Sequence, residues 1–125
     1  MERTQIGHTK LVNRYFMFLV ERYGMNFCFD VLPNTVGADN PTYVYSFYNS
    51  SGCFTIQEVA QRGEWDCYVA KSFSRDPHKR LSQKINQNSY TNKRVFTVRT
   101  FLKVTAGFIR NEISRGNCFW GISVK

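Results

Sequence analysis

Near the start of the chain, Leu11, Tyr15, Leu19 and Tyr23 recur every fourth position, with Val12 and Phe16 beside them. At helical spacing these residues share one face, so the pattern predicts an amphipathic helix over about Lys10 to Tyr23. Thr9 is suited to cap its start. Gly24 is suited to end it in the left-handed conformation. The period then changes to two. Met25, Phe27, Phe29 and Val31 point one way, and Asn26, Cys28 and Asp30 the other, which predicts a half-buried strand. Residues 32–41, rich in Pro, Gly, Asn and Asp, read as a loop.

Three further strand-like runs follow, at about Thr42–Tyr48, Cys53–Ala60 and Trp65–Phe73. Asn49-Ser50-Ser51-Gly52 and Gln61-Arg62-Gly63-Glu64 are turn-like, so the runs predict an antiparallel meander. With symmetric turns, Phe54 faces Phe47, and Ile56 faces Tyr45 on one side and Val69 on the other. Glu58 then faces Tyr43 and Cys67, and Ala60 faces Trp65. One face collects Tyr43, Tyr45, Phe47, Phe54, Ile56, Trp65, Cys67 and Val69, a core face. The other collects Val44, Ser46, Tyr48, Thr55, Gln57, Asp66, Tyr68 and Ala70, a wetter face. A slip of one residue would exchange the two, so the apolar match fixes the parity.

Asp76-Pro77 is a helix start, with Asp as cap and Pro in the first turn, and Leu81 and Ile85 supply the inner side of a short helix. Residues 86–92 are polar and read as a loop. Val95, Val98, Leu102, Ala106, Ile109 and Ile113 form one stripe and predict a longer helix over about Lys93 to Ser114. Cys118 to Val124 reads as a last strand. The order is helix, four strands, two helices, strand. It predicts a single α+β domain over residues 1–125: a mostly antiparallel sheet of about five strands with helices packed on one face.

Charge changes the picture more than composition does. Residues 1–70 carry five Lys and Arg against seven Asp and Glu, and residues 71–125 carry twelve against two. An excess of that kind attracts anionic partners. Arg75, Lys79, Arg80 and Lys84 lie on or near the short helix, and Lys93, Arg94, Arg99, Lys103, Arg110 and Arg115 on or near the long one. Arg99, Lys103 and Arg110 fall close together beside the apolar stripe. The same charges would also serve as a solvated face that keeps the chain soluble. Nucleic acid is a second reading of the basic half. The rings there, Phe96, Phe101 and Phe108, sit at inward helix positions, however, and no nucleic-acid-binding module is present.

Candidate chemistry is sparse. His8 and His78 have no motif around them that assembles a nucleophile or a metal site. Cys28, Cys53, Cys67 and Cys118 are too widely and irregularly spaced for a zinc site and read as small hydrophobes. Glu58 stands out as a carboxylate on the apolar face, where it needs a partner or a shifted pKa. No glycine-rich phosphate loop occurs, and neither a cofactor nor enzymatic activity is expected. The longest apolar run, Phe16 to Val20, is too short for a membrane span or a signal-peptide core, so a cytoplasmic location is expected. On the wetter sheet face, Tyr48, Gln57 and Tyr68, with Thr55 and Asp66, mix rings and hydrogen-bonding groups in the manner of a protein interface.

The run Gly52-Cys53-Phe54-Thr55-Ile56, followed by Arg62-Gly63-Glu64-Trp65-Asp66-Cys67-Tyr68, resembles small bacterial immunity proteins of polymorphic or contact-dependent toxin systems. The resemblance covers the middle third of the chain. It implies a non-enzymatic inhibitor that binds one cognate toxin inside the producing cell. No binding residue is carried over, because no family binding motif is matched. Immunity proteins against nucleases are often acidic, whereas this chain has a formal net charge of +8. Its partner is therefore expected to be acidic where the two meet, or the contact to use the less charged sheet face. The expected contacts are Arg75, Lys79, Arg80, Arg99, Lys103 and Arg110 for steering, with Tyr48, Gln57 and Tyr68 on the sheet face. The alternative is a basic nucleic-acid-binding accessory protein.

Overall fold

Five strands form one antiparallel sheet in the order in which they occur along the chain. They are β1 (Asn26–Leu32), β2 (Thr42–Asn49), β3 (Gly52–Val59), β4 (Glu64–Ala70) and the two-residue β5 (Gln83–Lys84). The helices are α1 (Arg3–Tyr23), the single turn α2 (Pro77–Arg80) and α3 (Val98–Ser114). The structure, a computed structural model, describes residues 3–32, 41–50, 52–59, 64–81, 83–84 and 98–114. The expected last strand, Cys118 to Val124, lies outside them, as do Ile85 and the expected first turn of the long helix.

The β2–β3 register is the one the apolar match predicts, with Phe47 opposite Phe54 and Tyr45 opposite Ile56. The β3–β4 register differs by two residues. Phe54 pairs with Val69, Ile56 with Cys67 and Glu58 with Trp65. Glu64 pairs with Val59 and belongs to β4, not to the turn. A shift of two preserves parity, and every side chain keeps its expected face.

α1 and α3 pack on the Phe47–Phe54 face. Val12, Phe16 and Leu19 of α1 and Phe101, Leu102, Ala106 and Ile109 of α3 close one core with the inward rings of the sheet. Phe16 lies 6.0 Å from Phe47 and 5.6 Å from Phe54, ring centre to ring centre. Trp65 bridges Tyr45 and Phe101, at 6.4 and 5.7 Å. A fully buried ring of this kind is worth about 3–5 kcal/mol on truncation to Ala.

α1 begins at Arg3, well before Lys10, and Thr9 lies inside it and does not cap it. Its first turns carry no continuous apolar stripe because polar contacts dock them. His8 meets Glu58, and the Thr9 hydroxyl stands 3.5 Å from that of Tyr45. At the other end Gly24 has φ +66°, and its N–H reaches Val20 O while that of Met25 reaches Leu19 O, both at 3.1 Å. This is the left-handed stop that Gly24 suggests.

α2 departs from the expected layout, because it lies over the opposite face of the sheet. Asp76 caps it by accepting from the His78 N–H at 3.1 Å, as the Asp-Pro pair predicts. Its buried residue is Arg80; Leu81 is only half-buried. The face expected to be wetter is consequently covered in part, with Val44, Ser46, Cys53 and Thr55 fully buried. Among the described residues no helix is long and apolar enough to cross a membrane.

Candidate functional site

The covered face is organised by one cation. Arg80 is only 1% exposed, and water cannot solvate its charge. Four protein acceptors take that role. Nη1 donates to Asp30 Oδ2 at 2.8 Å and to Ser46 Oγ at 3.0 Å, and Nε donates to Ser74 O at 2.7 Å. Nη2 reaches Arg75 O at 3.4 Å. The guanidinium also lies 4.4 Å from the centre of the Phe73 ring, a cation–π contact. Ser46 passes the network on to Thr55 at 3.0 Å. A buried cation must be paired and hydrogen-bonded, and this one is both.

Beside it lies a cleft of about 620 Å³ lined by Cys28, Asp30, Tyr48, Phe73, Arg75 and Arg80. Alternation in β1 directs Cys28 and Asp30 to this face, and β2 contributes Tyr48. The segment after β4 brings Phe73 and Arg75 over them. Tyr48 and Phe73 stack at 3.7 Å and form an aromatic wall. The Cys28 thiol donates to Asp30 Oδ2 at 3.2 Å. Burial raises its pKa, and the Asp30 carboxylate raises it further, because ionisation would set two anions side by side.

A second polar cluster sits on the core face. Glu58, 5% exposed, accepts from the Tyr45 hydroxyl at 3.3 Å and pairs with His8 Nδ1 at 2.5 Å. The His8 ring lies against Trp65 at 5.3 Å. The partner that a carboxylate in this place requires is therefore a histidine fifty positions away in sequence.

The expected contact residues divide into four groups. Tyr48, Arg75 and Arg80 meet at the cleft, but Arg80 is an internal tie whose charge is spent on Asp30. Lys79 is exposed on α2, outside the cleft lining. Gln57 and Tyr68 are half-buried on the same face; the Tyr68 hydroxyl is raised by burial first and by Asp66 next. Arg99, Lys103 and Arg110 are exposed on α3, on the other side of the sheet. Among the described residues the basic groups therefore do not form one continuous patch. Arg99, Lys103 and Arg110 do fall within roughly 40° of arc on α3 at 100° per residue. Gly107, adjacent on the same side, adds no bulk. Arg110 lies over Phe18 of α1 at 4.2 Å. Lys10 and Arg14 are exposed on α1 and extend the positive character of this helical layer.

Sequence reasoning did not assign Asp30 and Phe73 to a site. Asp30 was visible as a charge on the polar side of a strand, and Phe73 as the last apolar residue of a run. Nothing local joined either of them to Arg80. Among the described residues no group of three His, Cys, Asp or Glu side chains is placed to hold a metal ion. Compared with protein-family models, with curated proteins and with solved structures, the chain matches none.

Proposed function

We propose that the protein is a non-enzymatic inhibitor that binds an acidic surface of a cognate bacterial toxin and occludes it, as an immunity protein does inside the toxin-producing cell. The observation that supports this reading is the exposed row Arg99, Lys103 and Arg110, with no acidic residue on the same stripe of α3. Such a row steers an acidic partner into place, and contacts around it set the lifetime of the complex. Among the described residues of α3 itself the rings offer a base little face to stack on, since Phe101 is buried and Phe108 half-buried. That favours a protein partner over nucleic acid.

The test is capture by the immobilised chain from lysate of the source cell, with and without nuclease, beside the Arg99→Glu/Lys103→Glu/Arg110→Glu variant. The expected result is one protein that persists after nuclease and is lost with the variant. Its association rate should fall as salt rises. Partners that vanish with nuclease would favour the nucleic-acid reading. Capture that the variant leaves unchanged would remove the α3 row from the mechanism.

A further inference from the structure

The cleft on the face opposite α3 has a composition that the toxin-binding reading does not use. Arg75 and Arg80 and one carboxylate, Asp30, line it, so its lining carries one formal positive charge in excess. Asp30 is restrained as a competing anion, because its Oδ2 already accepts from Arg80 and from the Cys28 thiol. Arg75 is different. Its side chain is exposed, while its backbone is tied to the cleft floor through its carbonyl, which accepts from Arg80 Nη2. Its Cα is therefore anchored at the rim, from which the side chain can reach an occupant of the cleft. The Tyr48–Phe73 stack supplies an apolar wall beside it. Phe73 cannot swing away, being held between Tyr48 at 3.7 Å and the Arg80 guanidinium at 4.4 Å. At about 620 Å³ the cleft is within the size range of small-ligand sites.

We propose that this cleft binds a carboxylate carried on a planar or apolar body. The carboxylate takes the Arg75 guanidinium as a bidentate partner, the geometry for which a guanidinium is suited. The body lies against Tyr48 and the edge of Phe73, both faces of which are taken by Tyr48 and Arg80. The buried Arg80 is a positioning residue that holds the wall, the floor and Asp30 in one arrangement. Preorganisation of this kind limits the ordering cost of binding. Two sources carry this chemistry: a free small carboxylic acid, or the acidic side chain of a peptide. The proposal does not depend on the α3 row, because the sheet lies between the two.

The test is an amide chemical-shift titration of the full chain at constant ionic strength. The probes are benzoate, acetate, N-acetylglutamate α-amide and inorganic phosphate. The expected result is saturable shifts confined to residues 28–30, 48 and 73–80, with benzoate or the glutamate derivative binding more tightly than acetate or phosphate. Saturation by benzoate assigns a free acid. Saturation by the glutamate derivative alone assigns a peptide side chain. Arg75→Gln should weaken binding about tenfold or more, the scale of one charge-assisted contact. Lys79→Gln, outside the cleft, should leave it within about twofold. Tyr48→Ala should weaken benzoate but not acetate. Absence of saturable shifts, equal binding of phosphate, or unchanged binding by Arg75→Gln would overturn the assignment. None of these results bears on capture through α3.

Discussion

Arg80 and Asp30 are fifty positions apart in the chain and meet at 2.8 Å, one from α2 and the other from the edge strand β1. The pair closes α2 onto the sheet. Replacing Asp30 with Ala leaves a guanidinium that is 1% exposed without its counter-ion. Removing one partner of a buried pair costs about 3–5 kcal/mol. Asp30 itself is 31% exposed, so water can enter in its place and the expected loss is about 2 kcal/mol. Urea unfolding of Asp30→Ala measures it. A loss below about 0.5 kcal/mol would show that the pair does not hold α2.

His8 and Glu58 tie the start of α1 to β3. His8→Ala and Glu58→Ala should each destabilise the fold by about 1–2 kcal/mol, because each breaks the His8–Glu58 contact beneath a helix, with Tyr45 still donating to Glu58 in the first. The two losses should not add. A double-mutant cycle should return a coupling of about 1 kcal/mol or more. Additive losses would mean that the contact contributes nothing of its own.

Stability should fall at alkaline pH. Burial raises the thiols of Cys67, Cys53 and Cys28 above the ordinary value of 9.0 and raises the hydroxyl of Tyr68 in the same direction. The folded chain keeps protons that the unfolded chain releases, so stability is whole below that value and declines as pH climbs past it. Cys67, fully buried, should contribute about 1 kcal/mol per pH unit in this range. Unfolding in reducing buffer from pH 8 to pH 10 should show the decline. Cys67→Ala should flatten it, and an unchanged slope in that variant would assign the effect elsewhere.

Gly24→Ala should cost about 1–2 kcal/mol. The position has φ +66°, and an added Cβ would meet nothing within 4 Å. The penalty is thus one of backbone conformation alone. Gly24→Asn should lose less, since Asn tolerates this region better. Thermal melts of the two variants decide the order.

Of the three cations on α3, only Arg110 is packed, with its guanidinium over Phe18. Arg110→Ala should cost about 0.5–1 kcal/mol, the value of an exposed cation–π contact. Arg99→Ala and Lys103→Ala should stay within about 0.5 kcal/mol of the parent. Equal losses at all three would mean that the row is structural.

The α+β architecture, the parity of β1 to β4 and the β2–β3 register were legible because apolar alternation is a local signal; the pairing of Gln83–Lys84 with β4 was not, since those residues read as part of the short helix. Phe47 and Phe54 sit either side of a short turn, and their pairing could be read by counting. The β3–β4 register was not, because counting from a turn requires knowing where the turn begins, and Glu64 sits in the strand. Parity survived that error, since a step of two changes partners but not faces. The burial of Arg80 was illegible for a different reason. Its surroundings in sequence, Lys79 and Leu81, suggest a solvated cation and an inward leucine. The groups that draw it inside, Asp30 and Ser46, are fifty and thirty-four positions away. His8 was unreadable in the same way, as its partner Glu58 lies on β3.

The exposed guanidiniums of Arg75 and Arg110 stand on opposite sides of a single layer of strands. A body seated against either side leaves its counterpart uncovered, so dual occupancy meets no steric conflict. If both proposed sites bind, affinity on one side should be indifferent to loading on the other.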